Sequence, residues 1–223
     1  MSDNSVVQFG LTNPHYAVIS GYDTQGQEIY EKPIPLLYGV SVTLTPEGEE
    51  VLAYGNNTVV FSQFGNLGYK GTLELTNLQD DFRINVLGEQ IDNGVISEYA
   101  NSISKEFALM FQFEGDKNAK RHLFFRCSCS RVDVTGKTNT KTLEFQNATL
   151  NLSVLPTVAS TIVKSNVSST QENKAIYDNW FNEVYTPRLS EQSQVKQAEI
   201  QSIERVIEEP VTEPEPVTEP IEE

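Results

Sequence analysis

Residues 105–131, KEFALMFQFEGDKNAKRHLFFRCSCSR, decide the fold class of this chain. In an extended strand, alternate side chains point to opposite faces. Phe107, Leu109, Phe111 and Phe113 therefore share one face, and Ala108, Met110, Gln112 and Glu114 share the other. After a turn signal at Gly115-Asp116-Lys117, Leu123, Phe125, Cys127 and Cys129 alternate with His122, Arg126, Ser128 and Ser130. A period of two over this length predicts strands with one buried face. On that reading both cysteine sulfurs lie beside Leu123 and Phe125.

The same period extends outward in both directions. Tyr38, Val40, Val42 and Leu44 alternate with Gly39, Ser41 and Thr43, and Leu73 and Leu75 alternate with Thr72, Glu74 and Thr76. In the last run Leu143 and Phe145 are odd, whereas Ala148, Leu150, Leu152 and Val154 are even. One extra residue near Gln146-Asn147 restores the face, which predicts a β-bulge there. Further turn signals stand at Pro46-Glu47-Gly48, Gly55-Asn56-Asn57, Asp92-Asn93-Gly94 and Thr135-Gly136-Lys137.

Two helices interrupt this pattern. Asn77 is a candidate N-cap, with Asp80 and Asp81 in the first turn where the helix dipole favours negative charge. Phe82, Val86 and Leu87 supply an apolar face, and Gly88 a C-terminal stop. The second helix is expected from Glu172 to Tyr185, with Ile176, Tyr177, Trp180, Phe181 and Val184 on its apolar stripe and Pro187 beyond it. The fold class is mainly β: a β-sandwich or barrel with a flanking helix and a C-terminal helix packed on it.

Beyond this body the composition changes. Residues 191–223 hold ten Glu against Lys196 and Arg205, and EPVTEP occurs in tandem at 209–214 and 215–220. Like charges, prolines and a lack of aromatics predict a disordered acidic tail over 210–223. Between 188 and 209, Val195, Ile200, Ile203, Val206 and Ile207 allow a marginal amphipathic helix or linker. The β domain is thus assigned to 1–187. The whole chain of 223 residues has a net charge of −15. That balance argues against a protein that grips phosphate backbones. No apolar run approaches the ~20 residues of a membrane span. No secretory signal is read at Met1-Ser2-Asp3-Asn4, so synthesis in the cytosol is expected.

The residues offer little chemistry. Two histidines, His15 and His122, and the Cys127-Ser128-Cys129 pair make a thin ligand set without a second C-x-x-C or H-x-x-x-H partner. Asp80-Asp81 is explained by its place at a helix start. Gly65-Asn66-Leu67-Gly68 lacks the Lys and Ser/Thr of a phosphate loop. No catalytic residue, metal site or cofactor is assigned, and the chain is expected not to be an enzyme. Residues 45–69, TPEGEEVLAYGNNTVVFSQFGNLGY, stand apart. They read either as a long loop whose Tyr54, Phe61, Phe64 and Tyr69 contact another chain, or as a pair of short strands.

Taken in order, VQFGLTNPHYAV (7–18), GYKGTLELTNLQDDFRINVLGE (68–89), residues 105–131, TGKTNTKTLEFQNATLNLSV (135–154) and IYDNWFNEVYTP (176–187) carry a resemblance. The chain resembles the major tail protein (tail tube protein) family of long non-contractile-tailed bacteriophages, the siphoviruses of Gram-positive bacteria. That resemblance implies a structural virion protein that polymerises as stacked hexameric rings, forming the conduit for genome ejection. It implies a homo-oligomer whose partners are the tape measure protein and the tail tip, distal tail and tail terminator proteins. DNA would pass through without binding, no membrane would be involved, and assembly would take place in the host cytoplasm. A negative lumen would repel DNA phosphates; the candidate lumen-facing carboxylates are Glu47, Glu49, Glu50, Glu74, Glu114 and Glu144. The competing classes are a β-sandwich adhesion module, which would need a binding patch and an export signal, and a β-rich enzyme.

Overall fold

The computed structural model describes residues 9–114, 120–134 and 147–187. The first half of the chain contributes β1 (Phe9–Tyr22), β2 (Glu28–Tyr30), β3 (Ile34–Pro35), β4 (Gly39–Glu47), β5 (Glu50–Gly55), β6 (Thr58–Phe64) and β7 (Gly68–Leu75). A short helix, α1 (Asp80–Asn85), and a small hairpin, β8 (Gln90–Asp92) and β9 (Val95–Ser97), lead to β10 (Phe107–Glu114) and β11 (Arg121–Cys129). The body ends with β12 (Ala148–Leu155), β13 (Lys164–Val167) and α2 (Lys174–Asn179). The fold is mainly β, as the alternation implies.

The main sheet runs β2-β1-β10-β11-β12-β7-β4, with β13 paired to β11 and β3 to β1. It curls until the start of β4 meets the start of β1. There a Cβ added at Gly39 would lie 2.9 Å from Pro14 Cγ and 3.0 Å from Leu11 Cδ2, and Leu36 N donates to Pro14 O at 2.7 Å. The enclosed face holds the main core: Tyr16, Val18, Leu73, Leu75, Phe107, Leu109, Leu150, Leu152 and Val154 are buried together. Alternation thus orders β7, β10 and β12 as read from sequence.

Helix α1 plugs one side of this core through Phe82, with Val86 and Leu87 following it inside. Its N-cap is Gln79 rather than Asn77, because Leu78 is already drawn into the core and delays the first helical turn. Asp80 and Asp81 occupy the first turn, and Gly88, with φ +74°, turns the chain out after the C-cap.

Three expectations about the strands need correction. The first is β10, which is buried on both faces. Ala108 and Met110 belong to a second core with Leu123, Phe125, Tyr177, Trp180 and Val184. The C-terminal segment covers this outer face, so the strand has no solvent side over most of its length. The second concerns β11. Phe107 pairs with Cys127 but Leu109 with Phe124, so β11 carries one extra residue at Phe125-Arg126. This bulge moves Phe124, Cys127 and Cys129 to the inner core and leaves Leu123 and Phe125 outside. Both sulfurs do share a face, but not with Leu123 and Phe125. The third is Pro46-Glu47, which lies inside β4 and pairs with Tyr69 and Gly68. Proline fits because β4 is an edge strand and needs no outward donor there. The bulge expected at Gln146-Asn147, with Leu143 and Phe145, lies outside the described residues, as do the turns at 115–117 and 135–137.

Helix α2 is shorter than its apolar pattern, ending at Asn179, and turn-type hydrogen bonds carry the chain on to Glu183. Asp178 and Asn179 are weak helix formers. Anchoring falls to side chains instead. Trp180 is buried, and its indole donates to His122 O at 3.5 Å. Arg121 lies over the Tyr177 ring at 3.8 Å and donates to Tyr177 O. Ile176, expected on the apolar stripe, is exposed.

Candidate functional site

Residues 45–69 form an arm. Past Glu47 and Gly68 the β4–β7 ladder narrows at Gly48 and Gly65, where a Cβ on Gly48 would strike Gly65 O at 1.8 Å. Beyond that pinch β5 and β6, among the described residues, pair only with each other, from Glu50–Phe64 to Gly55–Thr58. Asn56 and Asn57 both take positive φ, 50° and 59°, the geometry of the two-residue turn that matches strand twist. The segment is therefore a strand pair that projects beyond the main sheet.

The arm is apolar on both faces. Register places Leu52 and Phe64 on one face and Val51 and Phe61 on the other. Tyr54 is 68% exposed, Phe61 50% and Phe64 71%, and Val51, Val59 and Val60 are exposed as well. A two-stranded hairpin is marginal in water without a packed face. Covering each such side chain contributes about 1.5–3 kcal/mol. Tyr69 does not belong to this group. It lies in β7, half-buried, with its ring edge-on to Phe124 at 5.4 Å.

The outward face of β4, β7 and β12 has a different chemistry. Ser41, Thr43 and Thr45 pair with Glu74, Thr72 and Lys70, which pair in turn with Thr149, Asn151 and Ser153. The result is a patch of hydroxyls and one amide, with Glu74 and Lys70 among the paired residues and Glu47 beside them at the end of β4. Glu74 accepts from Ser41 Oγ at 2.9 Å, and Glu47 pairs with Lys70 at 3.0 Å. This patch is absent from the residue-level expectations. Its signal was the polar half of each alternating strand, legible only once the register aligned the three.

The expected lumen carboxylates are not gathered together. Glu74 and Glu47 reach the hydroxyl patch. Glu49 and Glu50 stand on the arm or at its base, Glu50 accepting from Ser62 Oγ at 2.6 Å. Glu114 ends β10, near Gly10. Glu144 lies outside the described residues.

Nucleophile and ligand candidates are spent on packing. Burial pushes the Cys129 thiol up to about 12 and raises Cys127 further. His15 stacks on Phe181 at 4.8 Å, and His122 stacks on Phe111 at 5.4 Å. Among the described residues no three His, Cys, Asp or Glu side chains cluster as metal ligands, and no helix is long and apolar enough to cross a membrane.

No family model matches the chain, and neither does any curated protein. Among solved structures, it is similar to a chain in the cryo-EM structure of the anti-feeding prophage baseplate, 6-fold symmetrised. Identity is 11% and the TM-score 0.40, over 75% of this chain and 98% of that one.

Proposed function

We propose that this chain is a structural virion protein, the major tail tube subunit of a long-tailed phage, with no catalytic role. It polymerises as stacked rings, hexameric as the family resemblance implies, around a conduit for genome ejection. Its partners are further copies of itself, the tape measure protein, and the tail tip and tail terminator proteins. Assembly takes place in the host cytoplasm.

The observation that carries this reading is the arm. An isolated hairpin with exposed apolar side chains on both faces is stable only when another surface covers it. A subunit that always works inside a polymer meets that condition, and one that works alone does not. The outer edge of β4, which pairs with no strand among the described residues, is a second surface of this kind, since unpaired strand edges invite pairing with another chain. The hydroxyl patch fits a conduit wall. It offers DNA no cluster of Lys or Arg, and phosphates bind tightly only where cations replace their counterions.

Sedimentation velocity over a rising concentration series tests the proposal. Boundaries that shift from monomer to ring-sized and larger species support it. A monomer at every concentration, also when the tape measure and tail tip proteins are co-expressed, contradicts it and favours the adhesion module.

A further inference from the structure

A cleft of about 350 Å³ opens on the flank of the barrel. It exists because β11 changes partners: its first half pairs with β13 and its second with β12. The wall between β13 and β4 is therefore incomplete. Val42, Leu44, Tyr69, Phe111, Phe113 and Phe124 line the gap together with His122, and Lys164 borders it from β13. By volume it could hold on the order of ten waters, but its lining is largely aromatic and aliphatic and gives few of them partners.

We propose that this cleft receives the β5–β6 arm of a second copy of the chain. The inference rests on the tail tube reading and specifies the surface on which that assembly would grip. Two observations pair arm and cleft. The first is apolar complementarity: the arm exposes Tyr54, Phe61 and Phe64, and the cleft exposes a gap lined by aromatic rings. The second is charge. The arm, residues 49–64, carries Glu49 and Glu50 and no Lys or Arg. Lys164 stands exposed at the cleft rim, its ammonium 4.7 Å from the Tyr69 ring centroid, with no ion pair among the described residues. The arm's apolar side chains are exposed in the subunit that owns them, so they do not fill that subunit's own cleft. A surface that fits a different surface of an identical copy makes a head-to-tail contact, which propagates.

Disulfide trapping between differently tagged copies tests this. One copy carries Gln63→Cys on the arm and the other Asn166→Cys on β13, an exposed residue that pairs with His122 and shares the cleft face with Lys164. Neither change removes an apolar anchor, and the buried native thiols are poor competitors. In assembled material an interchain disulfide is expected for this pair, and it should be absent when the arm cysteine is combined with Ser20→Cys, on β1. Lys164→Glu should raise the concentration needed for polymerisation by about tenfold or more, as loss of a desolvated charge pair would. Polymers that form without the Gln63–Asn166 crosslink, and that tolerate Lys164→Glu, would overturn the cleft assignment and leave the tail tube reading standing. Failure to polymerise under any condition would sink both. In a chain that carries both cysteines, a disulfide formed in the monomer would mean that the arm folds back on its own barrel and would overturn the assignment.

Discussion

The inside of the barrel and the β5–β6 arm draw on the same residue types and end in opposite surroundings. Phe82 and Phe107 are fully buried, whereas Phe61 and Phe64 are half exposed or more. Both regions are strands. What separates them is the number of layers above each face. β10 has the barrel interior on one side and the α2 segment on the other, while among the described residues no layer covers either face of the arm. Period-two alternation therefore specifies a strand, and burial depends on what the rest of the chain lays across it.

This contrast can be broken at several points, ordered here by effect on the folded monomer. Phe107→Ala removes a fully buried ring and should cost about 3–5 kcal/mol, read as a large drop in the urea midpoint. Alkaline pH should come next. The buried thiols are held protonated, Cys129 up to about 12 against an ordinary 9.0. Their folded-state values are raised, so the stability linked to them is complete below about pH 9 and is lost as pH climbs toward 12. The denaturation midpoint should be flat through pH 8 and fall above it, and a thiol reagent at pH 8 should label the native protein far more slowly than the unfolded one. Phe61→Ala and Phe64→Ala should shift monomer stability by no more than about 0.5 kcal/mol, yet each should block polymerisation. A large loss of circular dichroism on these changes would mean that the arm packs within its own subunit. Deleting residues 190–223 should have the smallest effect, leaving both the melting profile and assembly intact. A truncated protein that folds but never polymerises would contradict that.

Much of the barrel was legible in the sequence. Leu73 and Leu75, Phe107 and Leu109, and Leu150 to Val154 were readable because each run keeps its phase and sits between turn residues. The bulge in β11 was not read, although apolar Phe124 breaks the alternation of Leu123, Phe125, Cys127 and Cys129; pairing with β10 locates the extra residue. Burial of β10 on both faces was also hidden. Ala108 and Met110 suit either environment, and the residue that covers them, Trp180, lies seventy-two positions away in the chain. Pro46 reads as a turn because proline most often marks one, and its tolerance in β4 depends on that strand being an edge.

The candidate site was partly legible. Tyr54, Phe61 and Phe64 stood out as aromatics among Gly and Asn, but spacing alone could not separate them from Tyr69, which the barrel claims. Glu74, Glu114 and Glu144 were candidates by strand position, and Glu47, Glu49 and Glu50 by their place in the long segment 45–69. Their dispersal over patch, arm and β10 follows from topology. The cleft had no sequence signal, because it is made by a strand that changes partners midway.

Negative-stain electron microscopy of the purified protein at rising concentration tests the central claim most directly. Hollow tubes of uniform width, or discrete rings, are the predicted result. Dispersed monomers at every concentration, persisting when the tape measure and tail tip proteins are co-expressed, would contradict it.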